Sequence, residues 1–542
     1  MNGDPVNWWH GAVGYEVYVR SFADSDGDGI GDLRGIRDRL PYLAGLGVDL
    51  VWVTPFYPSP QADHGYDVSD YLGVEPTYGS VDDATALIER AHELGLRVVF
   101  DLVPNHSSSQ HPWFLDALIG RDAEHRDFYV WRDPAPDGGP PNNWVSNFGG
   151  PAWTLDERSG QYYMHLFLPE QPDLNWANDR VRTAFADIID TWFARGVDGI
   201  RIDVAHALVK DEQFRDNPLL VEVAASSAPG DRFKAFDHVH DQDQEGVLDI
   251  YREWNRIAAK HDAMLLGEVY LLQTERLRRY VADGDGLHLA FAFATLHTTW
   301  DVDEIRTTLG GLVEAGGDDF AWPLGSHDDP RAATRFGGGE VGARRARAYL
   351  TLLCGLPGVP FLYQGDELGL DDGDLADDSA QDPIAVRNPG AAGRDPVRTP
   401  MLWEAVEGFG FTTGTPWLPF GANRRPEQAA AAQQGVPGSP LERTRDLLRA
   451  RRELPALRKG AGSQWLADTG PVIALRRHPE DTSAADVVTA LHVADGTGAT
   501  GPASFRLPAP GRLVYASDDG VEVDGTTLRL PPDTAVFVEL TS

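Results

Sequence analysis

Residues 96–103 read LRVVFDLV, a short run of Leu, Val and Phe carrying one carboxylate, Asp101, near its end. The run is too short for a core helix and too continuously apolar for a strand with one wet face, so it reads as a strand buried on both sides. The same arrangement recurs along the chain: Asp203 follows GIRI, Glu268 follows AMLLG, and Asp328 follows FAWPLGSH. Eight such strands are expected, in VGYEVYVRSF (13–22), VDLVWVTP (48–55), LRVVFDLV (96–103), DGIRID (198–203), AMLLGEV (263–269), LAFAF (289–293), FAWPLG (320–325) and VPFLYQG (359–365). Between most of them lie stretches such as LRGIRDRLPYLAGLG and VDDATALIERAHELG, with apolar residues at helical spacing and a closing glycine. Strand and helix alternating in this way predict an α/β fold, a (β/α)8 TIM barrel. In such a barrel functional side chains sit at the C-terminal ends of the strands, so the four acids gather on one rim. An enzyme is expected.

The spacing breaks after the third strand. Residues 104–178 are rich in Trp, Pro, Gly and Asn and read as an inserted loop-rich subdomain over the barrel mouth. The barrel therefore takes residues 1–103 and 179–460. Residues 370–425, again rich in Gly, Pro and Asp, are expected to pack back onto the site as a loop. From 461 to 542 short alternating segments (VIALRRH, VVTALHVA, LVYAS, VFVEL) predict a C-terminal all-β domain of sandwich type.

Composition narrows the function. A formal charge of −36 over 542 residues opposes nucleic acid and anionic membranes as partners. The one cysteine, Cys354, lies in the apolar YLTLLCGLPGVPFLY and is expected to be a buried core thiol. The uncharged stretch 348–363 is shorter than the roughly 20 residues of a spanning helix and contains two prolines, so no membrane span is expected. The N-terminal MNGDPVNWWHGAV has no basic segment followed by an apolar one, which predicts no secretory signal and a cytoplasmic location. Nothing in the sequence sets an oligomeric state.

Irregularly spaced acids gathered by a fold, and not by a fixed-period motif, suit glycosidic bond cleavage, which needs one carboxylate as nucleophile or base and one protonated acid. DLVPNH (101–106), GIRIDVAH (199–206), GEVY (267–270) and SHDDPR (326–331) resemble the four conserved regions of the α-amylase-type glycoside hydrolases, family 13. HGYDVSDY (64–71), HLFLPEQPDLNW (165–176), QGDELG (364–369) and RDPVRTPMLW (394–403) extend the likeness to the α-glucosidase and oligo-1,6-glucosidase branch. The resemblance implies Asp203 as nucleophile, Glu268 as general acid and base, and Asp328 as the carboxylate that orients sugar hydroxyls. It further implies a glucose pocket lined by Tyr66, Asp67, His106, His327 and Arg398, with Tyr66, Phe148 and Phe167 offering ring faces to the sugar. Asp63 is expected either to line that pocket or to brace its loop, and Asp101 either to touch sugar or to pair with Arg201. Arg201, two residues before Asp203 on the same strand face, is expected to keep that nucleophile ionised. The apolar AMLLG before Glu268 and the neighbouring negative charge are expected to keep it protonated.

Asp24, Asp26, Asp28 and Asp32, with the Ile30 carbonyl, alternate like the oxygen ligands of a Ca2+ loop. The plain alternative is an acidic surface turn, and the resemblance, through DSDGDGIGDLRG (24–35), favours a structural Ca2+, with Mg2+ as the substitute. Ser326, Asp329 and His64 depart from the family pattern and leave room for a charged aglycone. Val204 resembles the α-1,6-preferring members. The expected activity is a retaining, exo-acting α-glucosidase on short oligosaccharides or small glucosides. A transglycosylase or isomerase of trehalose or sucrose is the rival. A non-catalytic sugar-binding scaffold, which should lack one of the three acids, is the remote alternative.

Overall fold

The structure, a computed structural model, describes residues 7–224, 227–388, 390–391, 393–458, 460–466, 470–494 and 501–541. The first six residues of the stretch read for an export signal lie outside the described residues. Eight strands close into a parallel barrel: β1 (Gly14–Val17), β2 (Leu50–Val53), β3 (Arg97–Leu102), β4 (Gly199–Ile202), β5 (Met264–Gly267), β6 (Leu289–Phe291), β7 (Phe320–Pro323) and β8 (Val359–Tyr363), with β8 pairing back onto β1. All eight lie within the stretches expected from the sequence. Each expected run is longer than its strand, and two of them pass into helical turns. Past Val17 the ladder to β2 has ended, the Val19 amide donates to Thr54 Oγ1, and Val19–Phe22 turns into a helix. Past Phe291, residues Phe293–Leu296 form a 3-10 turn.

Side chains fill the barrel interior. Leu50, Trp52, Val99, Leu266, Phe291 and Phe361 pack there with almost no exposure. The Phe361 ring leaves no room for a Cβ at Gly14, which would approach it to 2.3 Å. Helices cover the outside through a second apolar layer that includes Leu40, Leu43, Leu87 and Ile88. The first two helices end where their sequence signals predict. Asp32 caps α1 (Leu33–Leu46) by accepting from the Gly35 amide at 2.8 Å, and Gly47 closes it at φ 103°. Ser80 and Asp83 form a capping box on α2 (Val81–Glu93).

Between β3 and α3 (Asp179–Ala194) the chain builds a small antiparallel sheet from Trp131–Arg132, Gln161–Met164 and Trp153–Asp156. A buried ion pair fastens this insertion to the barrel. Lys210 Nζ lies 2.9 Å from Asp173 and donates to Asn105 Oδ1 at 3.0 Å. Residues 460–540 form a five-stranded and a three-stranded antiparallel sheet that share one core of Val488, Val536, Val538, Leu528 and Leu530, a sandwich as expected. Cys354 is fully buried, and burial pushes its thiol up to about 12. Among the described residues no helix is long and apolar enough to cross a membrane.

Candidate active site

Parallel register builds the centre of the site. Asp101 on β3 pairs with Arg201 on β4, and Ile202 with Gly267 on β5. Paired residues in neighbouring strands point the same way and alternate residues share a face, so Asp101, Arg201 and Asp203 converge at the rim. Arg201 Nη1 donates to Asp101 at 2.9 and 3.0 Å and to Asp203 Oδ1 at 2.7 Å, while Nη2 lies 2.9 Å from Glu268 Oε2. One guanidinium thus holds three carboxyls. Glu268 Oε2 also accepts the Val204 amide at 2.8 Å. To offer that amide Val204 adopts φ 47°, a left-handed conformation that a β-branched residue resists.

Sharing has an electrostatic consequence that corrects the sequence reading of Arg201. Burial is the largest influence on Asp203 and raises its pKa. The neighbouring Glu268 raises it further, and Arg201 opposes both without overcoming them. Asp101 is likewise pushed up to about 7, mainly by burial and against the pull of Arg201. The single positive charge of Arg201, shared with Glu268, does not offset the burial of Asp101 and Asp203, and the pKa of both carboxyls stays raised.

Asp328 lies in the opposite field. Burial is again the largest influence and raises its pKa, but His327 in its charged form and the permanently charged Arg394 and Arg398 hold the carboxyl well below the ordinary range. Arg398 Nη2 donates to Asp328 Oδ1 at 2.6 Å, and Arg394 Nη1 donates to the same oxygen at 3.2 Å. His327 is sandwiched between the rings of Tyr18 and Tyr66, and burial drives its pKa down to about 3. As a neutral ring it lies 2.9 Å from the Tyr66 hydroxyl.

Asp203, Glu268 and Asp328 all open onto one cavity of about 600 Å3, whose wall includes Asp63, Tyr66, His106, Phe148 and Phe167. Four expected pocket residues sit elsewhere. Asp67 is fully buried and braces the preceding loop, accepting from Ser59 Oγ and from the Ala62 and Asp63 amides. Its neighbour Asp63 takes the place in the wall. Asp101 is buried against Arg201, Trp52 and Tyr66, so its salt-bridge role is the one observed. Arg398 and His327 stand behind the wall and act on Asp328 from there.

Arg394 and Gln171 line the cavity and were not singled out in the sequence, although both lie in quoted motifs. Arg394 Nη2 bridges Asp63 at 2.7 Å and Asp382 at 2.9 Å, so the 370–425 segment does return to the site. Gln171 Nε2 donates to Asp63 Oδ2 at 3.3 Å and lies 3.1 Å from His106 Nε2. In RDPVRTP the first arginine, not the second, reaches the cavity.

Of the departures from the family pattern, Ser326 Oγ accepts the Asp328 and Asp329 amides and donates to Asp329, closing the turn that carries Asp328. His64 lies 3.2 Å from the Gln381 carbonyl oxygen, outside the cavity wall, and burial takes its pKa down to about 2. Asp329 is partly exposed and lines a small pocket beside Asp328 and Glu268.

In the acidic loop, oxygens of Asp24, Asp26 and Asp28 lie within 4.8 Å of one another. Asp32 does not join them: its two oxygens accept from Ser25 and from the Gly35 amide of the α1 cap. The Ile30 amide donates to Asp28, which shapes the turn. Three hard oxygen donors in a glycine-rich turn fit Ca2+, with Asp32 as a capping residue outside the set.

A rim of acids on a parallel barrel, with an arginine shared among them and a cavity above, is the arrangement of a carbohydrate-active hydrolase. Residues 16–460 match the alpha-amylase catalytic domain, and the chain belongs to that family, glycoside hydrolase family 13. It is 41% identical over 464 residues to a probable alpha-glucosidase of Rhizobium meliloti (strain 1021), covering 84% of both chains. It is 38% identical to an oligo-1,6-glucosidase of Heyndrickxia coagulans (76% and 80% covered) and 36% identical to a trehalose-6-phosphate hydrolase of Bacillus subtilis (strain 168) (80% and 81% covered). Among solved structures, the alpha-glucosyl transfer enzyme XgtA superposes with a TM-score of 0.90 at 38% identity, over 98% of this chain and 99% of that one. An isomaltulose synthase mutant from Erwinia rhapontici NX5 gives 0.87 at 30% identity, over all of both chains.

Proposed function

We propose that the chain is a retaining, exo-acting α-glucosidase that cleaves short oligosaccharides or small glucosides through a covalent glycosyl–Asp203 ester. The observation that carries this reading is the single guanidinium of Arg201, which holds Asp203 through Nη1 and Glu268 through Nη2. Two carboxyls held by one guanidinium are kept close together, which supports the short separation a retaining pair needs, about 5–5.5 Å, over the wider gap that admits an inverting enzyme's water. Glu268 Oε2 accepts from both Val204 and Arg201, leaving Oε1 to deliver a proton to the glycosidic oxygen. As positive charge grows on the sugar, ionised Asp203 is favoured and attacks the anomeric carbon from the opposite face. The leaving alcohol departs with the Glu268 proton. Water then attacks the anomeric carbon, Glu268 takes its proton, the bond from that carbon to the Asp203 oxygen breaks, and the carboxylate is released.

Asp63, Asp328 and Arg394 form a polar floor for sugar hydroxyls, and the buried Arg398 holds Asp328 anionic. Ca2+ at Asp24, Asp26 and Asp28 would tie down the loop after β1 and supply no chemistry to the reaction. Glucosyl transfer is the second reading, favoured by the likeness to XgtA. Proton NMR of the first-formed sugar tests the main reading: the α-anomer is expected, and initial β-glucose would overturn it. Products from maltose, isomaltose, trehalose and sucrose separate hydrolysis from transfer and isomerisation, and the same panel tests the α-1,6 preference expected from Val204.

A further inference from the structure

The cavity continues outward from the catalytic acids into a region that the conserved motifs do not describe. Its wall there comes from three segments: the stretch between β4 and α4 (Gly246–Ala258), the residues following Glu268, and the loop around Ile384. Leu220, Phe233, Phe236, Leu271, Leu272 and Ile384 supply apolar surface. Leu220 is 66% and Leu272 48% exposed, which water does not favour for leucine at a polar sugar site. Among the described residues, seven of the fourteen exposed large hydrophobics fall in these same segments: five between 219 and 239, then Leu272 and Val386. Such a concentration is not the scatter of single apolar side chains seen on ordinary surfaces.

Two polar groups of this outer half are held by acids behind the wall. Arg276 Nε donates to Asp243 at 2.6 Å. His238 Nδ1 lies 2.8 Å from Asp241, with its ring stacked on Phe233 at 3.7 Å. An alkyl chain or aromatic ring needs apolar surface to cover, and the six apolar side chains supply it.

We infer that the outer half of the cavity is an aglycone subsite for apolar groups, so that alkyl and aryl α-glucosides are the preferred substrate class and apolar alcohols the preferred acceptors. This rests on the retaining glucosidase reading above. In transfer to such an acceptor the glycosyl–Asp203 bond breaks, the acceptor oxygen bonds the anomeric carbon, and Glu268 takes the hydroxyl proton.

The test measures kcat/KM for methyl, butyl and octyl α-glucosides beside isomaltose and trehalose 6-phosphate. Leu220→Ser, Leu272→Ser and the double variant are run in parallel. The expected result is an octyl-to-methyl ratio of at least about tenfold, falling by about tenfold in the double variant. Because the ratio is taken within one preparation, any loss of folded enzyme cancels. A flat alkyl series with active enzyme overturns the inference and leaves the glucosidase reading standing. So does trehalose 6-phosphate as the best substrate, which would point to Lys234, a cavity residue with no ion pair to another described residue. Absence of hydrolysis of every glucoside overturns both.

Discussion

At the scale of single residues, Arg201 organises the chemistry. Its side chain is 2% exposed and holds three carboxyls, so truncation to Ala leaves buried like charges facing one another. Arg201→Ala should destabilise the fold by about 3–5 kcal/mol, measured by denaturant titration. Arg201→Lys should keep most of that stability yet lower kcat/KM at least about 100-fold, because a single ammonium nitrogen does not reach Asp203 and Glu268 from the two separated positions of the guanidinium fork. Equal activity in the lysine variant would show that charge alone suffices. The three acids were legible in the sequence because each ends an apolar run that only a buried strand explains. Arg394 and Gln171 were not, since both stand in aperiodic loops whose course is set by tertiary contacts with Asp63 and Asp382. Asp67 was misplaced for a related reason: it and Asp63 stand four residues apart in one loop, and only the fold decides which one turns toward the cavity.

At the scale of elements, two caps make testable claims. His111 caps the short helix Pro112–Ala117, its Nδ1 accepting from the Trp113 amide, and burial lowers its pKa to about 4. Below about pH 6.5 the unfolded chain takes up a proton that folded His111 refuses, so this group costs stability as pH falls toward 4. Asn caps equally well and does not titrate. The stability of H111N relative to the native chain should therefore rise by up to about 3 kcal/mol between pH 7 and pH 4, read by urea titration at each pH. A constant difference would mean that the histidine titrates alike in the folded and unfolded chain.

The acidic loop gives the second claim. Added Ca2+ should raise the Tm of the native chain, and Asp24→Asn should abolish that response. Asp32→Ala should lower Tm by the loss of the α1 cap, about 1 kcal/mol, while leaving the Ca2+ response intact. Sequence spacing counted Asp32 among the ligands because alternation alone does not reveal which carboxylate a helix N-terminus has claimed. The runs at 13–22 and 289–293 were overextended on similar grounds: apolar content continues past the point where ladder partners stop.

At the scale of the whole molecule, the barrel and the C-terminal sandwich share an apolar core that includes Ile473, Leu491 and Phe537, and Asp533 adds a polar link between them. This aspartate accepts from Trp300 Nε1 at 2.7 Å and Arg345 Nε at 2.9 Å and lies 3.5 Å from Arg344. Asp533→Ala leaves two arginines without their anion and should split thermal unfolding, followed by calorimetry, into two transitions. A single transition at unchanged Tm would place the coupling elsewhere. The barrel and its sandwich were legible because each strand and each long helix in them follows the pattern of its kind. The cavity mouth was not, because 207–245 follows no period and takes its shape from the elements it covers.

The claim on which the mechanism depends is that Asp203 becomes bonded to the sugar. A 5-fluoroglucosyl fluoride, which forms the ester readily and hydrolyses slowly, should label the enzyme once, and fragmentation of the labelled peptide should place the sugar on Asp203. Label on Glu268, or turnover of the substrate with no covalent adduct at any time, would contradict the account.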